Sequence, residues 1–152
     1  MIPGMTDREL LAEAVALARH CPPSATAFSV GAIVVAADGR EIARGWSRDV
    51  DAVVHAEESA LQRAAGDPGL RGATVYSSLE PCSMRASRPV PCAQLIVAAG
   101  VARVVLAWRE PEVFVPAARG AELLVAGGVE VVELPELADA ALAPNRHILG
   151  PG

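Results

Sequence analysis

The sequence of 152 residues predicts an α/β domain with helices on both faces of a mixed sheet. Three observations carry this. Strand-like runs rich in β-branched residues alternate with alanine- and leucine-rich helical segments through short links, which implies parallel strands joined by helical crossovers. Near the start, the turn pair Asp38-Gly39 separates two further strand-like runs and adds an antiparallel hairpin. Hydrophobic residues make up 52% of the chain and charged ones 20%, a balance that supplies a core and gives no sign of disorder. Residues 1–152 are read as a single domain.

Thr6-Asp7-Arg8-Glu9 reads as a capping box ahead of the apolar period Leu10, Leu11, Ala14, Leu17 and Ala18, so the first helix is expected over Asp7–His20. Pro22-Pro23 breaks it. Val30–Val35 and Glu41–Trp46 then form the two arms of the hairpin. His55–Ala65, alanine-rich and free of proline, favours helix, with Gly66 placed to end it. Ala73–Ser78 is a strand. Cys92–Ala99 is a helix stopped by Gly100, and Arg103–Leu106 a strand; Ala117–Ala126 and Val129–Glu133 repeat helix and strand. Glu136–Leu142 makes a last short helix before Pro144. The five strands thus comprise a hairpin and three further segments. The stretch between Ser78 and Cys92 is longer than usual for a connection in a compact domain, which points to function.

Composition excludes several classes. No run reaches the roughly 18 to 20 apolar residues of a membrane span, and MIPGMTDREL lacks the basic-then-apolar order of a secretory signal, so a cytoplasmic protein is expected. Thiols stay reduced there, and Cys21, Cys82 and Cys92 are odd in number; ligation or catalysis explains such cysteines better than a bridge. A net charge of −5 argues against general attraction to nucleic acid and favours a small-molecule substrate. All 13 basic residues are arginine, which removes lysine Schiff-base chemistry and the phosphate loop ending in Gly-Lys.

His55, Cys82 and Cys92 fall at or near expected helix starts, where free amides and the helix dipole stabilise a thiolate. One histidine and two cysteines suit a zinc ion whose fourth position is left to water, the pattern of catalytic sites. Glu57, two residues after His55, points elsewhere on the helix and reaches that water instead of the metal. A carboxylate there can take a proton from water and hand it to a leaving group, the division of labour in zinc deaminases.

His55-Ala56-Glu57 with Glu80-Pro81-Cys82 and Cys92 resembles the cytidine deaminase superfamily. Within it, the chain is similar to the deaminase part of bifunctional riboflavin-biosynthesis enzymes over about Leu10 to Leu149. Val30-Gly31-Ala32, Gly45-Trp46, "LEPCS" at Leu79–Ser83, Pro91-Cys92-Ala93 and "AAGVARVVLA" at Ala98–Ala107 carry the likeness, as does the long insert between the two cysteines. The resemblance implies a three-layer α/β/α fold, bound zinc, Glu57 as the catalytic acid and base, and a homodimer or homotetramer. It also implies a deaminase domain standing without the reductase domain that usually follows. Departures fall on segments that shape the substrate pocket in the family. Ala-Ser-Arg-Pro-Val-Pro-Cys replaces a Gly-Arg-Thr-Pro-Pro-Cys ending, Ala27-Phe28-Ser29 replaces Asn-Pro, Ser47 replaces histidine, and Glu110-Pro111-Glu112 replaces Asp-Pro-Asn.

The substrate implied is a diaminopyrimidine ribosylamine phosphate. A cytosine-, cytidine- or guanine-type compound is the competing substrate, and a non-catalytic zinc-stabilised binding module the competing class; Glu57 argues against the latter, since a structural site needs no acid. Arg85 and Arg88 in the insert are candidate phosphate contacts, because a guanidinium fork suits an anion. Trp46, Ser47 and Glu80 are further candidate substrate contacts. Cys21, His20 and His147 are assigned packing, surface or capping roles.

Overall fold

A computed structural model describes residues 5–25, 27–82, 90–109 and 120–149. Helix α1 spans Asp7–Leu17, and its capping box is formed: Thr6 accepts the Glu9 N–H at 3.1 Å while the Glu9 carboxylate accepts the Thr6 N–H at 3.1 Å. The expected last turn, Ala18–His20, is a 3-10 turn. Strands β1 (Gly31–Val35) and β2 (Glu41–Trp46) form the hairpin, and α2 covers Ala56–Ala64. Then come β3 (Thr74–Ser77), α3 (Cys92–Ala99), β4 (Arg103–Leu106), α4 (Gly120–Ala126) and β5 (Glu130–Glu133). The expected start of the fourth helix, at Ala117, lies outside the described residues.

The chain's end differs from expectation. A 3-10 turn at Pro135–Leu137 precedes α5 (Ala138–Leu142), and the helical path continues past Pro144 through a second 3-10 turn into α6 (Arg146–Leu149). Proline is tolerated in a first turn, where its missing N–H has no partner to lose.

The five strands lie in the order β2-β1-β3-β4-β5. β1 pairs antiparallel with both β2 and β3, while β3, β4 and β5 run parallel. Side chains alternate across the sheet. Ala32, Val34, Val75 and Val104 face α2, α3 and α4 through Ala56, Ala60, Ala93, Ile96 and Leu124. Ile33, Val35, Tyr76 and Val105 face α1 and α5 through Leu10, Leu11, Ala14 and Ala141. These are the three layers expected. Gly31 and Gly45 permit close approach: a Cβ on Gly31 would lie 2.0 Å from the Ala14 carbonyl, and one on Gly45 would lie 2.7 Å from the Ala60 nitrogen. The second contact seats α2, whose first turn carries the candidate chemistry, directly on β2.

Candidate metal and catalytic site

The site forms where β3 ends and the N-termini of α2 and α3 converge, beside the carboxyl ends of the parallel strands where open α/β sheets leave a crevice. His55 is the N-cap of α2. The loop before it is tied down on both sides. Asp51 accepts the N–H groups of Val53 and Val54 at 2.9 and 2.8 Å, while Asp49 accepts the Ser59 hydroxyl at 2.8 Å and pairs with Arg63. Glu58, three residues on, accepts the His55 N–H at 3.3 Å and so holds the histidine at its cap.

Cys92 is the first residue of α3 and is fully buried. Cys82, expected at a helix start, lies outside any helix in the segment after β3. Its sulfur nevertheless accepts the Cys92 N–H at 3.2 Å, so it draws on an α3 amide without belonging to α3. Hydrogen bonding with the Cys92 side chain, together with His55 and the Cys92 amide, holds the Cys82 thiol down to about 4 against the opposing effect of burial. A thiolate is ready for a cation.

The Cys82 and Cys92 sulfurs lie 3.5 and 3.4 Å from His55 Nδ1, and all three donor atoms fall within 4.8 Å of one another. Zinc bonds of about 2.3 Å to sulfur and about 2.05 Å to nitrogen, opened to a tetrahedral angle, put N and S roughly 3.6 Å apart. The donor set therefore fits zinc in spacing, softness and charge. Among the described residues it offers three protein ligands.

Glu57 is 4% exposed on the first turn of α2 and accepts the Ser77 hydroxyl at 2.8 Å. Burial pushes its carboxyl above the ordinary range; the Cys82 charge adds to this, while His55 and hydrogen bonds with Ser77 and Cys92 oppose it. The geometry thus gathers His55, Cys82, Cys92 and Glu57 from three separate stretches of chain.

The other candidate contacts also bond or pack within the fold. Trp46 packs with the α1-side core, its ring 5.2 Å from that of His20 and beneath the Arg63 guanidinium at 6.0 Å. Ser47 is buried and accepts the Val30 N–H at 2.9 Å, joining β2 to the approach of β1. Glu80 accepts the Ala121 N–H at 2.7 Å and lies 4.0 Å from Arg109, anchoring the start of α4. Arg85 and Arg88 lie outside the described residues. His147 contacts the Ser24 carbonyl at 2.6 Å, and the Cys21 thiol donates to the Val30 carbonyl at 3.5 Å, which are local packing roles.

Sequence reasoning missed Ser77, Asp49 and Asn145. A polar side chain ending an otherwise apolar strand was the available signal for Ser77. The Asn145 amide, 116 residues from its partner in sequence, accepts the Ser29 N–H at 2.6 Å and donates to the Ser29 carbonyl at 3.0 Å. Arg48, in left-handed backbone at φ 59°, donates to the Pro22 and Phe28 carbonyls and to the Ser29 hydroxyl. Together they fix the segment that departs from the Asn-Pro pattern.

Residues 5–108 match the cytidine and deoxycytidylate deaminase zinc-binding region. A diaminohydroxyphosphoribosylamino-pyrimidine deaminase of Schizosaccharomyces pombe is 39% identical over 128 residues, covering 82% of this chain and 31% of that protein. The riboflavin biosynthesis protein RibD of Escherichia coli is 38% identical over 133 residues, covering 84% and 33%. This chain spans about a third of the length of both. The crystal structure of the deaminase/reductase of Thermotoga maritima superposes with a TM-score of 0.73 at 31% identity, covering 91% of this chain and 38% of that one. A Rib2 deaminase of Aspergillus oryzae shares the fold at a TM-score of 0.80 and 24% identity, over 91% of this chain and 90% of that one. With the donor triad, the neighbouring glutamate and the layered sheet in place, the chain belongs to the cytidine and deoxycytidylate deaminase zinc-binding family.

Proposed function

We propose that this chain is a zinc-dependent hydrolytic deaminase acting in the cytoplasm on a diaminopyrimidine ribosylamine phosphate of riboflavin synthesis. The observation that carries the reading is the buried Glu57 beside the His55, Cys82 and Cys92 donors. A purely structural zinc site has no use for an acid of raised pKa at its edge. The names of the relatives favour the substrate. Among the described residues, no helix is long and apolar enough to cross a membrane.

Zinc held by His55, Cys82 and Cys92 would supply Lewis acidity at its fourth position, which makes water a usable nucleophile near neutral pH. Glu57 takes a proton from the attacking water and delivers it to the ring nitrogen next to the amine-bearing carbon. As the carbon–nitrogen bond breaks, a second proton passes through Glu57 to the amine, which leaves as ammonia; the ring carbon keeps the oxygen as a carbonyl. Enclosing Glu57 against β3 keeps bulk water from competing for these protons.

A cytosine-, cytidine- or guanine-type substrate is the second reading. It is favoured by Ala27-Phe28-Ser29, held by Arg48 and Asn145 where the riboflavin branch carries Asn-Pro. Ammonia release by zinc-loaded protein, measured across diaminopyrimidine ribosylamine phosphate, its dephosphorylated form, dCMP, cytidine, cytosine and guanine, separates the two. The first compound is expected to be deaminated fastest. Truncating Arg85 and Arg88 to Ala is expected to raise its KM roughly ten- to hundredfold and to leave the dephosphorylated form little changed. Turnover confined to dCMP, cytidine, cytosine or guanine would establish the second reading, and no turnover of any compound at full zinc would remove both.

A further inference from the structure

We propose, on the deaminase reading above, that Ser77 is a positioning residue for catalysis: its hydroxyl fixes the Glu57 carboxylate and ties it to the backbone leading to Cys82. Ser77 is the last residue of β3 and is fully buried. Its Oγ lies 2.8 Å from Glu57 Oε1 and 2.8 Å from the Leu79 carbonyl. Leu79 stands three residues before Cys82, so one hydroxyl joins the acid on α2 to the strand end that delivers a metal ligand.

Among the described residues, Cys92 also hydrogen-bonds Glu57, but it is a thiol that zinc would claim. Ser77 carries no such second duty. A serine hydroxyl has one hydrogen but can both donate and accept. It can therefore donate to the Glu57 carboxylate, or accept from a Glu57 that is carrying a proton while its own hydrogen turns to Leu79. The single hydrogen goes to Glu57 in the first arrangement and to Leu79 in the second, and neither requires Glu57 to swing between proton acceptance and delivery. An alanine at this place would remove the hydroxyl that holds Oε1.

The test compares Ser77→Ala with Ser77→Thr, which keeps the hydroxyl, after zinc content and Tm have been measured for each. Zinc is expected to remain near one per chain in both. With the best compound of the panel, Ser77→Ala is expected to lower kcat about tenfold with KM within about twofold, the mark of an interaction that matters in the transition state. Ser77→Thr is expected to recover most of the loss. In a Glu57→Gln background the Ser77→Ala change should cost nothing further, since the residue acts through Glu57. Unchanged kcat in Ser77→Ala, or an equal fall in the Glu57→Gln background, would overturn the proposal.

A readout independent of turnover keeps the two claims apart. In infrared difference spectra of zinc-loaded protein, the Glu57 carboxyl band, identified by its loss in Glu57→Gln, is expected to shift in Ser77→Ala and return in Ser77→Thr. A band that stays in place would refute the positioning role. A shifted band in a protein that deaminates nothing would leave that role standing and remove the deaminase reading.

Discussion

Cys82 and Cys92 show how little of a candidate ligand's behaviour is its own. Pro-Cys recurs twice in the sequence, yet the preference of Cys82 for the thiolate comes from neighbours: the Cys92 side chain, His55 and the first amide of α3. Replacing either cysteine by Ser is expected to weaken zinc binding by at least about a hundredfold and to lower Tm together with it, because metal binding and folding are linked. Chelator competition and thermal unfolding check this, and full zinc content with both cysteines removed would contradict the ligand assignment. The candidate donors and Glu57, which the structure brings together, were legible in the sequence because the chemistry demands fixed residue types at short spacing. Ser77 and Asp49 were not, since each acts through a contact between separate elements. Ser47 and Glu80 each accept a backbone amide, from Val30 and Ala121, and these long-range bonds are not legible from the positions of the two residues along the chain.

At the scale of elements, the attachment of α1 shows the same division. Its capping box and apolar stripe were readable from the sequence, but the bond that pins its first turn to the sheet was not. Asp7 accepts two hydrogen bonds from Arg103 on β4, at 2.9 and 2.8 Å, and one from the Tyr76 hydroxyl on β3 at 2.6 Å. The Arg103 guanidinium holds the Asp7 carboxyl below its ordinary value. A carboxyl depressed in the folded state contributes stability that is complete above its unfolded value of about 3.9 and is lost as pH falls through the folded value. Asp7→Asn is therefore expected to destabilise the protein by about 1 to 2 kcal/mol near neutral pH, the range for a partly exposed, multiply bonded ion pair. The difference in unfolding free energy from the parent should shrink steadily below about pH 4. A difference that stayed constant from pH 7 to pH 3 would mean that the charge contributes nothing.

Over the whole molecule, the hairpin makes β1 and β2 antiparallel and the last two crossovers make β3, β4 and β5 parallel, which local signals state, whereas the antiparallel placing of β3 beside β1 is a nonlocal pairing that they do not. The end of the chain was less legible, because α6 owes its position to a partner 116 residues away. Asn145, 1% exposed, serves Ser29 as a neighbouring strand would, satisfying both its N–H and its C=O. Asn145→Ala leaves two buried backbone groups unpaired and is expected to cost about 2 to 4 kcal/mol in denaturant unfolding; a change within 0.5 kcal/mol, roughly the usual surface effect, would show that water replaces the amide. A chemical consequence of the fold is the meeting of α2, β3 and α3 that sets Glu57 beside three candidate metal donors. The most direct measurement is ammonia release by zinc-loaded Glu57→Gln against zinc-loaded parent, with metal content determined in the same samples. Turnover is expected to fall by at least about a hundredfold while zinc stays near one per chain. Near-parental turnover at full zinc would contradict Glu57 as the proton carrier and the mechanism with it.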